Sequence, residues 1–203
     1  MVNITVFDGA STIGGNKIYL EECGEGVFLD FGLNFARYGE FFKEFLTERD
    51  TRGIHDLIHL GMIPRISAYR EDLIPSDLDT SSFRRVDPKA VLLSHAHIDH
   101  SGNISLLDRS IPVVASGVTA AILKGMRDTG AAGMGEEVAY ISPRVRSSEY
   151  EGQVLSSDRS MPYVGRDFYC TDCAESISEF MRWRPGQSSR SAKKLEPGSI
   201  QDL

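Results

Sequence analysis

The sequence predicts an α/β layered fold, and two observations carry that prediction. Short strand-like runs alternate with segments of helical period along the chain. The densest polar motif, Ser94-His95-Ala96-His97-Ile98-Asp99-His100-Ser101-Gly102-Asn103, follows an apolar run, Ala90-Val91-Leu92-Leu93, and leads toward a helix. Ligands in layered α/β folds gather at the carboxyl ends of strands, which is where this motif lies.

The elements follow in order. Residues 2–7, 17–22 and 26–30 read as strands, the second with Ile18 and Leu20 alternating against Lys17 and Glu21. Gly24-Glu25-Gly26 makes a tight connection between the last two. Asp8-Gly9-Ala10-Ser11-Thr12-Ile13-Gly14-Gly15-Asn16 is a Gly-rich turn between strands. No Lys-Ser/Thr closes it, so it is not a phosphate cradle. From Asn34 the period changes. Phe35, Tyr38, Phe41, Phe42, Phe45 and Leu46 recur at three and four, which predicts an amphipathic helix. A shorter helix is expected over residues 54–60, ended by Pro64. Residues 65–87 are polar, with a loop at 74–77.

A strand at 90–94 leads into the histidine motif, and residues 104–107 read as the first turns of a helix. Pro112 opens a strand at 113–115. Residues 119–128 predict a helix with Ala121, Ile122 and Met126 inward, ended by Gly130; residues 133–135 are expected to be flexible. Strands are expected at 137–141, 153–155 and 168–170. A helix over 174–183 turns Ile177, Phe180 and Met181 to one side. Residues 1–184 thus form one domain, with a helical insertion at about 34–86. Beyond Pro185 the composition turns to Gly, Ser, Arg and Lys, so 185–203 reads as a polar, basic tail or linker.

Bulk properties narrow the function. A chain of 203 residues, 41% hydrophobic, is long enough to bury a real core. The net charge of −7 gives no support to a broad nucleic-acid-binding surface. It leaves open a groove whose positive charge comes from bound metal. The chain has no run of about 18 apolar residues, hence no membrane partner, and its N-terminus lacks the pattern of a signal peptide. Three cysteines do not make a disulfide framework, so a cytoplasmic location is expected.

The histidine motif holds three of the five histidines of the chain. Imidazoles and a carboxylate set this close need a charge or a metal to satisfy them. His95 and His97, two apart on an extended loop, point the same way and can grip one cation. Asp99 and His100 follow where the chain turns toward a helix and can address a second. Imidazole with carboxylate suits Zn²⁺ best, with Mn²⁺ and Fe²⁺ as alternatives. Two such metals would make water a nucleophile at neutral pH.

At these residues the chain resembles the metallo-β-lactamase superfamily, whose signature is His-x-His-x-Asp-His after a hydrophobic strand. The wording is most similar to the RNase J and β-CASP nuclease branch, as are Ile13-Gly14-Gly15-Asn16 and Phe28-Leu29-Asp30-Phe31-Gly32. The resemblance covers roughly residues 2–35 and 88–145. It implies an αββα sandwich, phosphodiester hydrolysis on RNA, two Zn²⁺ per complete site, and His95, His97, Asp99 and His100 as metal ligands. It also implies that Asp99 handles the proton passed to the leaving group, and that Asp30 orients the metal loop from behind.

The family pattern also requires a further His, a bridging Asp and a last His downstream, yet no histidine follows His100. The β-CASP insertion is absent as well. The chain therefore reads as the first half of the sandwich or as a degenerate homologue. Asp158, Asp167 and Asp172 are the carboxylates available to bridge, and no motif selects one. A half-sandwich would leave apolar surface bare, so self-association, or a missing portion completing the fold, is expected. Two rival functions stand beside RNA cleavage: hydrolysis of a small thioester, lactone or phosphodiester, and a non-catalytic binding or assembly module.

Other signals read as ordinary structure. Cys170-Thr171-Asp172-Cys173 has no second pair and reads as buried thiols. His55 and His59 lie four apart, without the Glu of a His-Glu-x-x-His protease, and read as helix-surface histidines. Arg182, Arg184, Arg190, Lys193 and Lys194 make the last stretch basic, as in a solvated linker.

Overall fold

The computed structural model describes residues 1–42, 44, 46–129, 133–158, 160–172, 174–185 and 193–203. The chain begins with β1 (Asn3–Asp8), β2 (Lys17–Glu22) and β3 (Glu25–Phe31), followed by α1 (Phe35–Phe42) and α2 (His55–His59). Then come β4 (Pro88–Leu92), α3 (Ile98–Ser101), β5 (Val113–Ala115), α4 (Gly117–Thr129) and β6 (Tyr140–Ile141). The remainder is β7 (Arg144–Arg146), β8 (Leu155–Ser157), β9 (Tyr163–Gly165), β10 (Phe168–Cys170), α5 (Ala174–Arg182), β11 (Leu195–Glu196) and β12 (Ile200–Asp202). Among the described residues no helix is long and apolar enough to cross a membrane.

The α/β class is observed. Seven strands form the main sheet in the order β1-β2-β3-β4-β5-β10-β12. The first three pair antiparallel, and from β3 onward every pairing is parallel. The β2–β3 hairpin turns on Cys23 and Gly24, whose φ values of 54° and 88° give the two left-handed residues that match the twist of a tight hairpin. One face of the sheet meets the core through Tyr19, Phe28, Val91, Val113 and Phe168, all buried. Alternation along each strand sends those side chains one way and their neighbours the other. α2, α4 and the long connection before β4 contribute the facing side chains, among them Leu57, Ile58, Ala120 and Leu123.

Several elements differ from the sequence reading, each for a physical reason. The helical insertion expected at 34–86 contains two short helices in an irregular path. α1 ends at Phe42, and Phe45 lies outside the described residues. The segment read as polar buries Ile66, Ala68, Tyr69, Leu73, Leu78 and Phe83. Its apolar residues lack a period because the backbone is irregular. It also carries Arg70, whose buried guanidinium meets Asp72 at 2.7 Å and Glu137 at 3.0 Å.

α4 is rotated from the expected setting: Ala120, Leu123, Lys124 and Arg127 are buried, while Ile122 is 48% exposed. The inward cations have partners, since Lys124 meets Asp128 at 2.5 Å and Arg127 meets Glu137 at 3.3 Å. The strand expected at 137–141 shrinks to β6. Glu137 is instead turned inward to accept from Arg70, Arg127 and Arg144. Met134, placed in a stretch read as flexible, is buried inside a single 3-10 turn. Residues 104–107 form one 3-10 turn and no helix.

The correction at the end of the chain is larger. Where a polar tail is expected, β11 pairs with β9 in a separate three-stranded sheet, and β12 pairs with β10 to complete the seven-stranded one. Gly130, Cys173 and Arg190 lie outside the described residues.

Candidate metal centre

The histidine motif sits beyond the carboxyl end of β4, the fourth and central strand of the main sheet, flanked by its parallel neighbours β3 and β5. Residues 94–97 run extended, and His97 (φ −61°, ψ 145°) then heads the single turn of α3. Its carbonyl accepts from the N–H groups of His100 and Ser101, both at 2.9 Å. That turn folds His100 back toward His95. The ring centroids of His95 and His100 lie 4.1 Å apart, and those of His95 and His97 4.5 Å. Asp99 approaches the same place, with His100 Nε2 at 3.5 Å from its Oδ2. The structure thus brings His95, His97, Asp99 and His100 together.

Asp30 anchors the group from below. It lies in β3, 8% exposed, with φ +55°. An L-residue in the left-handed region is strained unless its surroundings hold it there, and such strain concentrates at functional sites. Both oxygens of Asp30 are engaged: Oδ1 accepts from the Ser94 N–H at 2.8 Å, while Oδ2 accepts from Ser94 Oγ at 3.0 Å and lies 2.7 Å from His100 Nδ1. The last contact fixes the imidazole plane and leaves Nε2 facing Asp99. Ser94 Oγ also lies 3.0 Å from His95 Nδ1. Sequence reasoning missed Ser94, since a serine before a histidine carries no signal of its own.

The glycine-rich turn does more than join two strands. Gly15 donates its N–H to the Asp99 carbonyl at 2.8 Å, and Leu33 donates to Ile98 at 3.0 Å. A Cβ on Gly14 (φ +74°) would land on the Asp99 side chain, and one on Gly32 would land on the Asp99 carbonyl. Two glycines therefore let the backbone close around Asp99. Asn103 completes the seating of α3 by donating from Nδ2 to the Gly32 carbonyl at 3.1 Å. The cluster opens into a mouth walled by Phe35, Ile98, Thr119, Ile122 and Met126. Rotation of α4 puts Ile122 there.

The remaining candidates lie elsewhere. Asp158 Oδ1 accepts from Ser160, and Asp167 Oδ1 accepts from Ser199. Asp172, just after β10, accepts from the Gly117 N–H at 2.6 Å and so caps α4. His55 and His59 stack with centroids 4.3 Å apart, and His59 Nδ1 lies 2.8 Å from the His55 carbonyl. Burial pushes the Cys170 thiol pKa up, away from reactivity. Lys193 donates to the Asp158 carbonyl at 2.8 Å, and Arg184 lies 4.3 Å from the centre of the Tyr163 ring. These two basic residues are thus tied to the fold.

The donors fit a divalent cation in kind and in attitude: imidazoles with a carboxylate, one imidazole steered by a second carboxylate. They fall short in number. Among the described residues no three His, Cys, Asp or Glu side chains form a group that could hold an ion.

Comparison with known proteins bears on the same motif. Residues 66–163 match the metallo-beta-lactamase superfamily. The matched stretch contains the whole histidine cluster. The RNase J and β-CASP branch is not distinguished by the match. Among solved structures, a protein of unknown function from Enterococcus faecalis V583 aligns with TM-score 0.50 and 21% identity over 82% of this chain. That likeness shows a shared fold. The chain spans 43% of the length of that structure. Comparison with curated proteins gave no match.

Proposed function

We propose that the protein acts as a metal-dependent hydrolase with RNA phosphodiesters as substrate. His95, His97, Asp99 and His100 are the ligands from this chain. The convergence of three imidazoles on one spot, one of them pinned by Asp30, is the observation that carries the reading. When bound, divalent metal activates water and neutralises charge on the reacting group. The chain's own residues prepare the site. Asp30 and Ser94 hold two imidazoles in fixed attitudes before any ligand arrives, and the glycine cradle holds Asp99. Asp99 is the carboxylate placed to take up a proton and return it to the leaving oxygen. Phe35, 53% exposed at the mouth, offers a face on which a base can stack. The run of motifs along the chain, from Gly14-Gly15 through Asp30 to Asn103, supports the nuclease branch by resemblance.

A second reading, hydrolysis of a small thioester or lactone, is favoured by one observation. Among the described residues the mouth is lined by no Lys or Arg, and four of its lining residues are Phe35, Ile98, Ile122 and Met126. Such a wall suits an apolar acyl group better than a phosphate backbone. Zn²⁺- or Mn²⁺-supplemented assays on a single-stranded RNA and on a chromogenic thioester separate the two. RNA cleavage lost in Asp99→Asn and weakened by salt supports the nuclease; thioester hydrolysis alone supports the rival. Metal-loaded protein inert toward both would sink the hydrolase reading.

A further inference from the structure

The glycine-rich turn that closes around Asp99 is itself held by polar side chains outside the metal-ligand set. Asn34, 5% exposed, stands between Leu33, which is tied to α3, and Phe35, which walls the mouth. Its Nδ2 donates to Asp8 Oδ1 at 3.0 Å and to Thr12 Oγ1 at 3.3 Å. Its Oδ1 accepts the Arg37 N–H at 3.1 Å and so caps the first turn of α1. Both donors and the acceptor oxygen of that amide are thus engaged. Asp8 in turn gathers three donors. Its Oδ1 also accepts the Gly9 N–H at 2.9 Å, and its Oδ2 accepts from the Lys17 ammonium at 3.4 Å. Lys17 is fully buried and donates as well to the Gly15 carbonyl at 3.4 Å. The strand pairings are irregular between Val6 and Asp8 and between Lys17 and Ile18, and such bulges re-aim side chains.

We propose that Asn34 is a positioning residue for Asp99: with Asp8 and Lys17 it clamps the Gly14-Gly15 backbone against the metal loop. The contact that carries this is direct. A Cβ on Gly15 (φ +78°) would lie 2.7 Å from Asn34 Cβ, so the turn rests on Asn34. The N–H of the same glycine holds the Asp99 carbonyl at 2.8 Å. Capping α1 alone would use only the Asn34 oxygen. The two donors aimed at Asp8 and Thr12 serve the turn instead, and buried polar groups of this kind fix a conformation because leaving them unpaired is costly. Asp30 steers an imidazole; Asn34 steers the carboxylate. The catalytic consequence rests on the reading of Asp99 as ligand and proton carrier, whereas the clamp itself does not.

Asn34→Asp separates the two roles, because aspartate caps a helix as well as asparagine does but donates nothing. It also sets a second carboxylate against Asp8. Amide hydrogen exchange on the 203-residue chain, followed by NMR, reads the clamp without metal or substrate. The Gly15 N–H should exchange at least about tenfold faster in the variant, while the Ser94 N–H, held by Asp30, keeps its rate. Thr12→Val, at a half-buried position, removes one acceptor of Asn34 and should move Gly15 in the same direction, which covers the case of Asn34→Asp failing to fold. Gly15 exchange unchanged in both variants, or both amides accelerated equally, overturns the proposal. On single-stranded RNA with Zn²⁺, kcat of Asn34→Asp should fall about 10–100-fold at unchanged KM, since the cap and Phe35 stay in place. An unchanged kcat beside faster Gly15 exchange also overturns it. A wild type inert toward RNA whose Gly15 amide still responds selectively supports the clamp and overturns the RNA-hydrolase reading instead.

Discussion

Asp30 shows how much one side chain can organise. It holds a left-handed backbone, is nearly buried, and places its two oxygens against Ser94 and His100. Such a carboxylate stiffens an imidazole and raises its basicity toward a metal. Asp30→Ala should weaken Zn²⁺ binding by about 10–100-fold, read by competition with a chromophoric chelator. Unchanged affinity would mean that His100 needs no steering. The sequence made the cluster legible because three imidazoles and a carboxylate follow an apolar run at fixed spacing; Asp30 was legible through the resemblance carried by Phe28-Leu29-Asp30-Phe31-Gly32. Ser94 and the glycine cradle were not legible. Their roles depend on which backbone lies against Asp99, and that is a property of the packed sheet.

Strands with clean alternation were read to the residue, or nearly so: β2, β5 and β10 lie where the pattern places them. Short helices and irregular connections were not, since their apolar residues follow no period. α4 was misread in rotation because Lys124 and Arg127 face inward, against the rule that charged positions point to water. Arg166 belongs with them. It is 2% exposed and donates to the carbonyls of Asp108, Ile111, Ile104 and Leu107, at 2.7, 2.7, 3.2 and 2.8 Å. One guanidinium thus satisfies the irregular loop between α3 and β5, where no ladder could. Arg166→Met leaves those acceptors buried and unpaired, and should cost about 3 kcal/mol or more in urea unfolding. A loss within about 0.5 kcal/mol would show that the loop finds other donors.

The main sheet orders the whole molecule, and its last strand comes from the stretch that composition marks as a tail. β12 joins the sheet because Ile200 has β10 to lie against, and Asp202 Oδ1 accepts from the Ala174 N–H at 2.9 Å to start α5. Ser- and Lys-rich flanks hid that short strand. The fold also stores a pH response. Burial holds the Lys17 ammonium down to about 8 from 10.5, partly offset by Asp8 at 3.4 Å. Below about pH 8 the lysine is charged folded and unfolded, and the burial cost is present in full. Between about 8 and 10.5 only the unfolded chain keeps the proton, so stability rises with pH, by on the order of 3 kcal/mol across the window. Burial and Asp128 raise Tyr140 to about 12, so above pH 10 the unfolded phenol ionises first and stability falls. Urea unfolding should therefore show a maximum near pH 10, and Lys17→Met should remove the rise below it. A stability that falls steadily from pH 8 in the wild type would contradict this. The central claim, that the cluster after β4 is a metal centre, is tested most directly by elemental analysis of the purified chain beside His97→Ala. The account predicts at least one divalent metal per chain, zinc foremost, lost in the variant. Equal metal in both proteins, or none in the wild type after incubation with Zn²⁺, would contradict it.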